Sequence, residues 1–160
     1  KEALKPMLKA YGYIIIDTPP HLDLLTIAGL VASSEVVITC TPSTYSINGI
    51  AQTMGAIESA KAVNKDIKPM GVLFTLYNDR RVMHRQLRQA IIKQASASSV
   101  SVFDTTIRES IAISEAQAFK RPLFDYAKGS KALSDYEAFI KELQRKEGDR
   151  RLYRPKRERA

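Results

Sequence analysis

Asp17 is the first residue whose setting points to chemistry. It ends the apolar run Tyr13-Ile14-Ile15-Ile16 and precedes Thr18, Pro19 and Pro20. A carboxylate at the tip of an apolar strand is costly unless something positive compensates it. Two uses fit the spacing. A hard oxygen donor at that place can hold Mg²⁺, usually through water, opposite nucleotide phosphates. The other use is to cap the next helix, since Asp is a favoured N-cap residue. Pro19 and Pro20 impose an extended path before that helix begins. A second set of residues is basic: Arg80, Arg81, Arg85 and Arg88, with Lys93 beyond and no acid from Arg80 to Lys93. Arg81, Arg85 and Arg88 recur at helical spacing and share one face. Such a face suits contacts to nucleic-acid phosphates by counterion release, without base readout. A solvated helix face is the other use of the same residues. His21 reads as a loop residue, His84 as a surface residue beside Arg85, and Cys40 as packed inside a strand. One Cys and two separated His residues give no metal site or catalytic triad of the usual kinds.

The elements that must position these groups alternate. Tyr13–Asp17, Glu35–Thr41, Met70–Leu76 and Val100–Thr105 read as short apolar strands. Between and after them, helical periodicity runs over 22–34, 43–64, 80–97, 110–119 and 131–146. Strands alternating with helices imply βαβ units, hence an α/β fold with a parallel sheet and helices on both faces. Strands that are apolar throughout, such as Val36-Val37-Ile38, agree with a sheet covered on both sides. Ligands of such folds bind at the carboxyl ends of the strands.

The chain has 160 residues, enough for one domain with a core, and a single Cys excludes an internal disulfide. No run approaches the ~18 apolar residues of a membrane span, and no signal peptide opens the chain. The net charge is +8, of which Lys141–Ala160 supply nine basic and four acidic residues, or +5. We read 1–146 as one folded unit and 147–160 as a basic, flexible tail able to meet polyanions.

The run of apolar residues ending in Asp17 matches a Walker B strand. With the D-x-P-P sequence and the segment following it, through Ile50, it resembles the ParA/Soj family of partition ATPases, the deviant-Walker P-loop class related to MinD. Two later blocks resemble the same family: Phe74–Arg81 and Ile107–Tyr126. The similarity runs over roughly residues 8–145. It implies a P-loop NTPase fold of the ParA/MinD kind, incomplete at its N-terminus. It also implies ATP and Mg²⁺ as cofactors, and an ATP-dependent homodimer that binds double-stranded DNA without sequence preference. A ParB-like partner would stimulate hydrolysis, and plasmid or chromosome partitioning would occur in a bacterial cytoplasm, at the nucleoid. By position, Asp17 resembles the catalytic, Mg²⁺-associated carboxylate. Thr18, Pro19 and Pro20 resemble the switch that senses the γ-phosphate. Tyr77 and Asn78 resemble residues near the adenine, and Arg108 lies in the loop on the other side of the base. Arg80, Arg81, Arg85 and Arg88 take the places expected of a DNA surface, with Lys120 and Arg121 as compensation for an arginine lost from the turn before Ser114.

The chain departs from the family at two points. The phosphate-binding pattern K-G-G-x-G-K-[ST] is missing, and no glycine is followed by lysine. A phosphate loop cradles phosphates with backbone N–H groups and lysines. The expectation is therefore a truncated chain, inactive alone, from a parent that hydrolyses ATP. A degenerate DNA-binding module without ATPase activity is the alternative that the missing loop supports. In the turn before Ser114-Glu115-Ala116, one family arginine is kept at a shifted place as Arg108 and another is replaced by Ala112. A membrane-associated, MinD-like protein is a further alternative. Against it, the sequence after Gly148 has almost no apolar face and contains Pro155.

Overall fold

A computed structural model of the chain describes residues 2–97 and 100–147. The tail expected over 147–160 lies outside the described residues from 148 onward. Three strands, β1 (Glu35–Cys40), β2 (Lys68–Tyr77) and β3 (Val102–Arg108), form one sheet in the order β1-β2-β3. Both pairings are parallel. A parallel connection needs a crossover, and two helices supply it: α2 (Ser46–Lys61) joins β1 to β2, and α3 (Val82–Ala97) joins β2 to β3. Helix α1 (Leu24–Ala32) precedes the sheet, and α4 (Ile111–Ala118), α5 (Leu123–Tyr126) and α6 (Lys131–Glu147) follow it. The short α5 occupies a stretch that reads as loop in the sequence.

The core has two parts, one on each face of the sheet. Leu30 of α1, Ala56, Ile57 and Ala60 of α2, and Ile91 of α3 bury against Ile38, Cys40, Val72 and Phe74. Met70, Leu73, Phe103 and Ile107 form the second cluster, covered by Ile113 of α4 and by Phe139 and Leu143 of α6. Alternation along β2 puts Val72 and Phe74 on one face and Leu73 on the other. Met70 joins Leu73 despite its even number, because β2 carries an extra residue: Val36 pairs with Pro69 and Val37 with Gly71. That bulge shifts the side-chain parity by one. Gly71 makes it possible, with φ at 146°, a region that L side chains avoid. A Cβ at Gly71 would also lie 2.8 Å from the Ser101 carbonyl oxygen, which accepts the Val72 N–H.

The expected strand over Tyr13–Asp17 does not form. The segment takes no regular secondary structure, and Ile15 is 92% exposed. A strand exists through its ladder, and no described segment lies beside this one to complete it. The outer edge of β1 is likewise unpaired among the described residues.

The far edge of β3 is closed differently. Between its pairings with Val72 and Phe74, β3 advances from Val102 to Thr106, so a bulge frees backbone N–H groups there. Glu142 of α6, only 4% exposed, accepts the Asp104 and Thr105 N–H groups, each at 2.8 Å. Burial pushes the Glu142 carboxyl pKa up. The hydrogen bonds from Thr105 and Asp104, with Lys146 nearby, outweigh it and hold the group below its ordinary value.

Two outcomes follow for stability. Gly71→Ala should lower the urea unfolding free energy by about 1–3 kcal/mol, from backbone strain plus the close approach to Ser101. Glu142→Gln should cost about 1–3 kcal/mol, because the buried amide turns a donor toward one of the two N–H groups. The Glu142 carboxylate has a folded pKa below its unfolded value of 4.5. Its stabilisation is thus present above that pH and is lost as pH falls through the folded value. The acid limb of a stability–pH curve should be shallower in Glu142→Gln.

Candidate nucleotide-binding edge

The carboxyl ends of β2 and β3 bring the expected base-side residues together. Tyr77, the last residue of β2, is in register with Arg108, the last residue of β3. Asn78 follows Tyr77 and opens the turn into α3. Its carbonyl accepts the Arg81 N–H at 3.1 Å, and its side-chain Oδ1 accepts the Arg80 N–H at 3.0 Å. Its own N–H donates to Nδ1 of His84 at 3.1 Å. His84 is 4% exposed and its ring lies 5.7 Å from that of Tyr77. The expectation of a surface His84 is therefore corrected. Its neighbours in sequence, Met83 and Arg85, are exposed while the imidazole turns under the tip of β2.

Arg108 is held by α6. Its Nε and Nη2 donate to the two oxygens of Asp135 at 2.6 and 2.7 Å, and its backbone N–H donates to the same carboxylate at 3.1 Å. The hydrogen bonds to Asp135 raise the guanidinium pKa above its ordinary value, and a bidentate pair of this kind fixes geometry as well as charge. Arg108 thus positions the turn that begins with it. Glu109, next in that turn, reaches Arg81 at 3.5 Å and links the tips of β3 and β2.

Asp17 takes no part in capping. The N-cap of α1 is Asp23, whose carboxylate accepts the Thr26 N–H at 3.0 Å and is held below its ordinary pKa by that bond. Asp17 is exposed and makes no hydrogen bond or ion pair with a described residue. Behind it, the loop is tied down by Thr26, a buried residue. The Thr26 hydroxyl donates to the His21 carbonyl at 2.6 Å and lies 3.4 Å from that of Pro19. The segment packs on α1 where the helix has no side chain: a Cβ at Gly29 would lie 3.1 Å from Cγ2 of Thr18 and 3.5 Å from Cγ2 of Ile16. Asp23, Thr26 and His84 went unrecognised as supports in the sequence. The Asp-x-x-Thr spacing before an apolar run is the signal that finds the first two.

These groups fit part of a Mg–nucleotide. One free carboxylate suits Mg²⁺, which keeps most of its waters and takes one or two carboxylates plus phosphate oxygens. Among the described residues no three His, Cys, Asp or Glu side chains gather as a metal site in their own right. The phosphates have no cradle in this chain, so no step of phosphoryl transfer is assigned to it. Cys40 is buried, and burial pushes its thiol pKa up, as in an inert packed thiol.

The basic residues are not equally open. Arg80 and Arg85 are exposed, although Arg85 Nη1 donates to the Asp79 carbonyl at 2.5 Å. Arg81 is exposed beside Glu109. Arg88 turns toward the sheet: Nη2 lies 3.4 Å from the Phe103 carbonyl oxygen and 3.3 Å from that of Asp104. The face expected to hold Arg81, Arg85 and Arg88 alike therefore has its open charge at the N-terminal end of α3. Lys120 and Arg121 are exposed after α4, and the Arg121 guanidinium sits 5.9 Å from the Tyr126 ring centre.

The chain is similar to known proteins in sequence and in fold. The profile of a family described as an AAA domain matches residues 1–69. The chain is 30% identical over 148 residues to the chromosome partitioning protein ParA of Myxococcus xanthus, spanning 92% of this chain and 51% of that one. It is 33% identical over 144 residues to the sporulation initiation inhibitor protein Soj of Bacillus subtilis, spanning 89% and 56%. The cell division ATPase MinD of Pyrococcus furiosus superposes with a TM-score of 0.72 at 17% identity, over 90% of this chain and 56% of that one. Cobyrinic acid a,c-diamide synthase of Mycobacterium smegmatis, solved with bound ADP and magnesium, superposes at 0.70 with 24% identity, over 96% and 56%. The fold is that of the ParA/MinD-type P-loop NTPases. Within that class the chain is a ParA/Soj-like sequence. It spans about half the length of the curated relatives it matches.

Thr26→Val, which removes the hydroxyl and keeps the shape, should lower stability by about 1 kcal/mol. Amide exchange at Thr18 and His21 should accelerate more than exchange in α2. Equal acceleration in both places would mean that Thr26 does not anchor the loop.

Proposed function

We propose that this chain is the Walker B and switch side of a ParA-type partition ATPase. The observation that carries the reading is the freedom of Asp17. A neighbouring Asp does the capping, and a carboxylate with no partner among the described residues opens the D-x-P-P segment. Similarity to ParA and Soj over about nine-tenths of the chain supports the same reading. In it, Asp17 holds Mg²⁺ through water, and Thr18, Pro19 and Pro20 sense the γ-phosphate. Tyr77, Asn78 and the Arg108 turn border the adenine. ATP is bound in a homodimer, with the phosphate loop supplied by sequence that this chain does not contain.

Arg80, Arg81 and Arg85, with Arg88, Lys120 and Arg121 at the margins, form the surface for double-stranded DNA. Their guanidinium and ammonium groups would act on the phosphates without sequence preference. A ParB-like partner would trigger hydrolysis and release, moving a plasmid or chromosome locus in the cytoplasm at the nucleoid. Among the described residues no helix is long and apolar enough to cross a membrane, and this reading needs no membrane.

The test uses the protein expressed with the codons upstream of Lys1. DNA binding is measured with and without Mg-ATP across a salt series. Binding should require ATP, be lost in Asp17→Ala, and fall steeply with salt. In Arg81→Ala/Arg85→Ala the slope of log affinity against log salt should flatten by about 2. Binding that ignores both ATP and Asp17→Ala would instead identify a basic module without a nucleotide switch.

A further inference from the structure

The turn at the tip of β2 is built around one residue, and most of that residue is already engaged. The Asn78 carbonyl is taken by Arg81, its Oδ1 by Arg80 and its N–H by His84. Its side-chain Nδ2 group has no partner among the described residues, so the turn presents an amide donor outward. The first two bonds are local, within three residues, and many turns make them. The third comes from α3. It fixes where the turn stands relative to the helix, and its acceptor is a buried imidazole nitrogen.

We propose that His84 is the positioning residue of the base-binding turn, acting as a hydrogen-bond acceptor through Nδ1. The assignment rests on the reading of Tyr77 and Asn78 as adenine neighbours. The chemistry constrains the imidazole. Nδ1 accepts a backbone N–H, so it carries no proton, and a neutral ring then carries its proton on Nε2. Tyr77, whose ring packs 5.7 Å from the imidazole, limits the ring's tilt from the strand side. Burial of His84 matters because an apolar side chain filling its place removes the acceptor and keeps water out of the space beneath the half-buried Asn78. The turn would then rotate to find another partner, and the Asn78 amide would leave its place at the edge of the sheet. His84 touches no nucleotide in this scheme. It holds the residue that does.

The experiment uses the same upstream-extended protein and compares His84→Leu with His84→Asn. Asn places an oxygen close to where Nδ1 sits and keeps an acceptor, whereas Leu offers none. Calorimetry measures the Kd of Mg-ATP and of inorganic tripolyphosphate, which has no base. His84→Leu should weaken ATP about tenfold, the equivalent of one lost buried hydrogen bond, and leave tripolyphosphate unchanged. His84→Asn should bind ATP within about twofold of the parent, well inside what one such bond is worth. In the unsubstituted protein, the imidazole nitrogen NMR shifts should show Nδ1 without a proton. This reading does not depend on either variant folding.

Three results overturn the proposal. One is a protonated Nδ1 in the folded protein. Another is His84→Asn failing as badly as His84→Leu, because the acceptor is then not what matters. The third is a His84→Leu protein with unchanged ATP affinity. Asn78→Ala separates the two layers. If it too leaves ATP affinity intact, the base reading of this turn falls and takes the role of His84 with it. If it weakens ATP while His84→Leu does not, only the role of His84 falls.

Discussion

Strand β2 is hydrogen-bonded along both edges, and its two registers decide where every other element ends. The pairing with β3 brings Tyr77 level with Arg108, so two stretches of chain 31 residues apart finish side by side. The pairing with β1 carries the Gly71 bulge, which flips the lower half of β2 and gives Met70 to the α6 side of the sheet. Without the bulge, Met70 would face α2 and α3, and the second cluster would lose one of its four buried members. The candidate edge therefore depends on a glycine at the opposite end of the same strand.

The two outer edges of the sheet are resolved by opposite means. At β3 a buried carboxylate from α6 accepts the N–H groups released by the bulge, and a second carboxylate, Asp135, does the same for Arg108. Helix α6 thus acts on β3 as an extra strand would, by offering acceptors in the plane of the sheet. At β1 nothing described performs that duty, and the apolar segment before Asp17 joins no sheet. An apolar segment left open in this way is a site where another chain segment can add.

Much of this was legible in the sequence, for a reason that also explains the failures. The three strands that formed are those whose partners lie within the chain, and their helices follow the apolar spacing. Cys40 is packed as its strand context implies. Tyr13–Asp17 has the same apolar signature and joins no sheet, because residue pattern reports a segment's fitness for a sheet and not the presence of a neighbouring strand. His84 and Glu142 were hidden by their surroundings. Each sits in a strongly charged helix where a polar residue reads as solvent-facing, yet each is buried with a backbone N–H as its partner. Such bonds join residues distant in sequence or cross a turn, and no periodicity reports them. Arg88 shows the converse: helical spacing put it with Arg85, but the carbonyls of β3 lie closer than solvent.

The contact at Gly29 has a mechanical meaning. Thr18 rests against the helix backbone itself, with no side chain between them to bend or change rotamer. Packed protein has little give over tenths of an ångström. A push on Thr18 from the direction of Asp17 therefore shifts the α1 axis and is not absorbed locally. One residue along from Gly29, Leu30 is seated in the core shared with α2 and the sheet. Helix α1 is thus a stiff lever, with its pivot at the Asp23 cap and its load on the core. A ligand that moves the D-x-P-P segment would be felt inside the protein through a glycine.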